Sequence, residues 1–98
     1  MSEIVVNKEG YRIEKEIRGG SLMKYNYLLF LTGKNELLVS TDELRIEAEC
    51  DFQFDIDNEE RWVDVLTTFI DCYSEAVGSN SEAEAYNKAV SGVLKRYT

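Results

Sequence analysis

Carboxylates are the side chains in this sequence that could do chemistry, and they are concentrated in one segment. Residues 41–60 hold nine acids and one base, a net charge of −8, and the remainder of the 98-residue chain carries no net charge. Closely spaced carboxylates can bind calcium, act as general acid and base, or attract a basic partner. We call residues 41–60 the acidic segment.

Calcium binding and catalysis are both disfavoured by the residues around these acids. The stretch DFQFDIDNEE (51–60) alternates carboxylates as a calcium loop does, but it has no glycine at the sixth position. Its intervening Phe52, Phe54 and Ile56 favour an extended strand over a tight loop. Histidine is absent, which removes the commonest general base, and no glycine-rich phosphate loop occurs. Paired carboxylates could in principle hydrolyse glycosides, but so short a domain offers no obvious cleft. We therefore expect no enzymatic activity, no cofactor and no metal.

The two cysteines, Cys50 and Cys72, do not form a CxxC pair. A structural zinc site needs four Cys or His ligands, more than this chain contains. We expect two buried thiols in a reducing compartment.

The stretch LRIEAECDFQFDID (44–57) alternates apolar and polar residues without a break. This pattern predicts a long strand with one apolar face toward the core and one acidic face outward. Helix capping and turn preferences account for acids at the two ends of the acidic segment. They do not account for the four acids in its middle, Glu47, Glu49, Asp51 and Asp55.

Two interpretations of the acidic face remain open. Charge on an edge strand protects against aggregation, so the face could be solvated and nothing more. Alternatively it is a docking surface, with an apolar centre beside the acids. The candidate contact residues are Asp42, Glu43, Glu47, Glu49, Asp51, Asp55, Leu28, Phe30 and Leu38. A helix that covered the three apolar residues would remove them from this surface.

A docking surface of this sign predicts a basic protein as the partner, such as a nucleic-acid-processing enzyme or a nuclease toxin. Direct nucleic-acid binding is disfavoured because the clustered charge has the wrong sign. In size, acidity and lack of catalytic residues, the chain resembles small phage proteins that block bacterial defences, including anti-CRISPR proteins, and immunity proteins of basic toxins. The alternative is a structural or regulatory homodimer, since a strand over 44–57 would outrun its neighbour and leave backbone groups for a second chain.

The elements that must position these residues form one α+β domain over residues 1–98. Strand patterns cover 3–7, 11–18, 22–32 and 36–40, and 44–57 would make a fifth. Turn residues separate them closely, which favours an antiparallel meander. Two helices then follow: one capped near Asp57 or Asn58 and ended by Gly78, the other begun by Ser81-x-x-Glu84. We expect both helices to pack on the sheet.

The sequence contains no apolar run near the roughly 20 residues that a membrane span requires. Its first ten residues lack the charged start and apolar core of a signal peptide. We therefore expect a cytoplasmic protein, in the bacterial host if the chain is phage-encoded, with no membrane contact.

Overall fold

The computed structural model describes residues 2–17, 25–48 and 59–97. Within these ranges the chain forms β1 (Ser2–Lys8), β2 (Tyr11–Ile17), β3 (Tyr25–Leu31), β4 (Glu36–Ser40), α1 (Thr41–Ala48), α2 (Glu59–Val77) and α3 (Glu82–Tyr97). The four strands pair antiparallel in chain order, β1-β2-β3-β4. The predicted α+β class, the meander and the two C-terminal helices are confirmed.

Short turns connect β1 to β2 and β3 to β4, which favours antiparallel pairing of neighbours. Gly10, between β1 and β2, has φ of 97°, a conformation that glycine adopts without steric cost. Asn35, before β4, has φ of 49°, and asparagine tolerates this left-handed region better than most residues. The hairpin predicted at Gly19–Gly20 lies outside the described residues.

The predicted fifth strand over 44–57 is wrong for its first five residues, and residues 49–57 lie outside the described ranges. Residues 41–48 form helix α1 instead. Ser40 accepts a hydrogen bond at Oγ from the backbone N–H of Glu43, at 3.2 Å, which is the bond of an N-cap. Ser40-x-x-Glu43 has the spacing of a capping box, so a local start signal and buried Leu44 override the alternation. The homodimer prediction required a strand over 44–57 that outruns its neighbour. Residues 44–48 are helical, so they do not supply that strand.

Helices α2 and α3 pack against each other and against one face of the sheet. The predicted stripe of α2 is buried from Trp62 to Tyr73, but Val77 in the last turn is 38% exposed. The Ser81 cap of α3 is confirmed, since its Oγ accepts the Glu84 N–H at 3.3 Å. The predicted cap of α2 at 57 or 58 lies outside the described residues.

The core lies between the helices and the alternate strand residues that face them. The sheet contributes Ile13, Tyr27, Leu29 and Val39, and the helices contribute chiefly Trp62, Leu66, Phe69, Ala89 and Val93. Burial of this apolar surface is the main stabilising term of the fold. Among the described elements, no helix covers the opposite face of the sheet.

Close packing of α2 on α3 depends on Gly92. A Cβ placed at Gly92 would lie 2.6 Å from Cys72 Sγ, too close for any real contact. Cys72 is a free, half-buried thiol whose neighbour has no side chain. The side chain of Cys72 on α2 therefore occupies the space that Gly92, which has no side chain, leaves on α3.

Gly92→Ala should lower the free energy of unfolding by about 1 kcal/mol, because overpacking outweighs the gain in helix propensity. In a Cys72→Ala background the clash is gone, and Gly92→Ala should raise the free energy of unfolding by roughly 0.5–1 kcal/mol. Urea denaturation of the four proteins of this double-mutant cycle measures both values. Equal effects of Gly92→Ala in the two backgrounds would show that the two residues do not couple.

Candidate functional site

The acidic segment begins in α1 and ends in the first turn of α2. Asp42 and Glu43 lie in the first turn of α1, and Glu59 and Glu60 lie in the first turn of α2. All four acids occupy positions where the helix dipole favours negative charge. Glu47 belongs to α1, whereas Glu49, Asp51 and Asp55 lie outside the described residues, so their predicted role stays a prediction.

A buried hydrogen-bond network holds the start of the acidic segment on β3. The Thr41 hydroxyl donates to Asn26 Oδ1 at 2.9 Å and accepts the backbone N–H of Tyr27 at 3.2 Å. Asn26 Oδ1 also accepts the backbone N–H of Asp42 at 3.3 Å. Asn26 and Thr41 are 5% and 0% exposed, so these bonds form away from water, where an unmade bond is costly.

A second polar cluster joins the other end of the acidic segment to Tyr27, the residue that follows Asn26 on β3. The Tyr27 hydroxyl donates to Glu59 Oε1 at 3.4 Å, and Lys15 Nζ lies 3.1 Å from the same oxygen. Lys15 also lies 3.2 Å from Glu3 Oε1. Hydrogen bonds to Glu59 and then Glu3 raise the pKa of Lys15 well above its ordinary value. Residues 41 and 59 are therefore both bonded to adjacent residues near the start of β3, Asn26 and Tyr27.

The three predicted apolar contacts do not form one patch. Leu28 and Phe30 alternate with the core residues Tyr27 and Leu29, so they lie on the sheet face away from the helices. On that face the Arg12 guanidinium stacks 4.3 Å from the Phe30 ring centre and lies 2.7 Å from Glu14. Leu38 instead packs against the core on the helix side.

Leu38 lines a cleft of about 460 Å³ between the start of β4 and the helices. We call it the β4–α3 cleft. Its walls are Leu31, Lys34, Glu36, Leu37, Leu38, Tyr73, Glu82, Ala83, Tyr86 and Asn87. The Phe69 ring meets the Tyr86 ring edge-on at 5.4 Å and supports the wall from the core. The sequence patterns assigned Tyr73 and Tyr86 to core stripes and carried no sign of this cleft.

The rim of the β4–α3 cleft carries more negative than positive charge. Lys34 Nζ lies 3.2 Å from Glu82 Oε1, and this bond, followed by the charge of Glu36, raises the pKa of Lys34. Burial raises the pKa of the Tyr73 hydroxyl, and Glu82 adds to that shift. The Tyr86 hydroxyl donates to Glu43 Oε2 at 3.5 Å, which joins the cleft to the first turn of α1.

No group of three or more His, Cys, Asp or Glu side chains among residues 2–17, 25–48 and 59–97 could hold a metal ion. Within the same ranges no helix is long and apolar enough to cross a membrane. Cys50 lies outside them.

Comparison of the chain with protein-family models, with curated proteins and with solved structures finds no match.

The Asn26 network should be a large local contribution to stability. Asn26→Ala leaves the Thr41 hydroxyl and the Asp42 N–H without their acceptor and should lower the free energy of unfolding by about 2–4 kcal/mol. Ser81→Ala, which removes an exposed helix cap, should lower it by only about 1 kcal/mol. Chemical denaturation measures both variants, and equal losses would contradict the special role of Asn26.

The Lys15 cluster predicts a loss of stability at alkaline pH. The pKa of Lys15 is raised in the folded protein, so its contribution is complete below the unfolded lysine value of 10.5. That contribution is lost as the pH rises through the folded value. The free energy of unfolding of the wild type should therefore fall above pH 10.5 more steeply than that of Lys15→Met.

Urea denaturation between pH 9 and pH 12 measures both slopes, with Lys88→Met as the control that removes an exposed ammonium from α3. Parallel slopes for the wild type and Lys15→Met would contradict the prediction.

Proposed function

We propose that this protein is a small, non-enzymatic binding protein that docks its acidic segment on a basic protein in the cytoplasm. The observation that carries the proposal is the location of the entire net charge of −8 in residues 41–60. Concentrated charge of one sign creates a directed field that steers a complementary partner into contact. Proteins that bind or process nucleic acid are the natural class of partner, since their working surfaces are basic.

The way in which the acidic segment is held supports this proposal. Its two ends are bonded to adjacent residues of the central strand β3, through Asn26 at the start and Tyr27 at the end. A binding segment presented by a rigid scaffold loses less conformational entropy on association than a free one. Binding residues are commonly carried on such connecting segments.

Local stability does not explain why so many acids are present. Residues 43 and 47 are one turn apart on α1, and like charges at that spacing are unfavourable by a few tenths of a kcal/mol. Glu59 lies 3.1 Å from the ammonium of Lys15, so one acid of the segment has a cation inside the chain. Because the other 78 residues carry no net charge, the chain as a whole keeps an excess of −8 that a basic partner would balance.

Charge reversal in the middle of the acidic segment tests the proposal. The immobilised wild type should capture a basic protein from a bacterial lysate at low salt and release it at high salt. The triple variant Glu47→Lys, Glu49→Lys, Asp51→Lys should not capture that protein. Mass spectrometry identifies the captured protein. The melting temperature should change little, because aspartate and glutamate side chains rarely belong to a protein core.

The matched control is Glu9→Lys, Asp71→Lys, Glu75→Lys, which changes the net charge equally but at exposed sites outside the segment. The control should retain the captured protein. Equal capture by both triple variants, or equal loss by both, would show that the acidic segment is not the docking site.

A further inference from the structure

The first three residues of β4 lie at an edge of the described sheet. Among residues 2–17, 25–48 and 59–97, β4 pairs with β3 alone. Glu36 and Leu37 are exposed, with Leu37 at 44%, and Leu38 is half-buried, whereas Val39 and Ser40 are buried. The part of this edge that is not buried is therefore Glu36–Leu38, and an edge of this kind can accept an added strand through its backbone groups.

The β4–α3 cleft lies directly beside this edge. Its apolar walls, chiefly Leu31, Leu37, Leu38 and Tyr86, and its volume of about 460 Å³ suit one large apolar side chain or two small ones. Peptide recognition by strand addition combines these two features, since the backbone gives affinity and a pocket beside it selects a side chain.

The charge around the cleft favours a positively charged ligand. Glu36 and Glu82 outnumber Lys34, and Lys34 is already paired with Glu82. Glu43 adds a further carboxylate through its bond to the cleft residue Tyr86. The negative rim of the cleft is thus continuous with the start of the acidic segment, and a ligand that spans both must be cationic.

We propose that an extended segment of the basic partner adds to β4 along Glu36–Leu38, inserts an apolar side chain into the β4–α3 cleft, and places lysine or arginine beside Glu36 and Glu82. This inference rests on the proposed function and names the chemistry of the partner's contact: a strand in which basic and apolar residues alternate. The acidic segment supplies long-range attraction, and the cleft supplies the specific contact.

Titration with a short peptide tests the cleft separately from the acidic segment. The probe is a capped six-residue peptide of alternating lysine and valine, and its counterpart replaces lysine by glutamate. Amide NMR spectra of the ¹⁵N-labelled protein should show saturable shifts at Glu36, Leu37, Ala83 and Asn87 with the lysine peptide and none with the glutamate peptide.

Two variants and one control sharpen the result. Ala83→Trp fills the cleft from an exposed position and should weaken binding by about tenfold, since it excludes the inserted side chain. Glu36→Lys should weaken it by about threefold, as expected for one exposed charge. Glu75→Lys, on α2 outside the cleft, should leave it unchanged.

The inference is overturned if the lysine peptide shifts only residues of the acidic segment, if it shifts nothing, or if both variants bind like the wild type. The first of these outcomes would leave the proposed function standing. Shifts at the cleft together with a lysate capture that ignores the acidic segment would instead refute the proposed function and leave the cleft as a peptide site.

Discussion

The hydrogen bonds that join Asn26 and Tyr27 of β3 to Thr41 and Asp42 are the constraint on which the arrangement of this protein depends. They form at the point where β4 ends, and they satisfy the Thr41 hydroxyl, the Asp42 N–H and the Tyr27 N–H together. The Asp42 N–H donates to Asn26 and the Glu43 N–H donates to Ser40, so the first donors of α1 are satisfied where the chain leaves the sheet and begins a helix. As a result Leu44 enters the core, and β4 is the last strand of the described sheet.

Adjacent residues of one central strand control both ends of the acidic segment. Asn26 holds its beginning, and the Tyr27 hydroxyl, with Lys15, holds Glu59 at its end. The buried core fixes β3 between its neighbours, so it serves as a rigid base for a charge that the rest of the chain does not share. The inner strand β3 therefore holds the acidic segment, in which like charges repel one another more than elsewhere in the chain.

The elements with strong periodicity and close turns could be predicted from sequence. Strands β1 to β4 and helices α2 and α3 followed from alternation, from a 3.6-residue stripe and from the Ser81 cap, and these are local signals. The same capping signal stands at Ser40-x-x-Glu43, whereas the prediction of a strand over 44–57 rested on the alternation alone. In the sequence Lys15 interrupts the apolar alternation of β2, and the structure pairs it with the carboxylates of Glu3 and Glu59.

The sequence by itself determined the α+β class, the chain order of the strands and the confinement of net charge to residues 41–60, since composition and short-range periodicity are properties of neighbouring residues. Only the tertiary structure decided that Leu28 and Phe30 lie on one face of the sheet and Leu38 on the other. It alone brought Glu36 beside Glu82, and Glu43 beside Tyr86, to surround a cleft. These juxtapositions join residues more than forty positions apart, and the packing of helices on the sheet, rather than any local pattern, creates them.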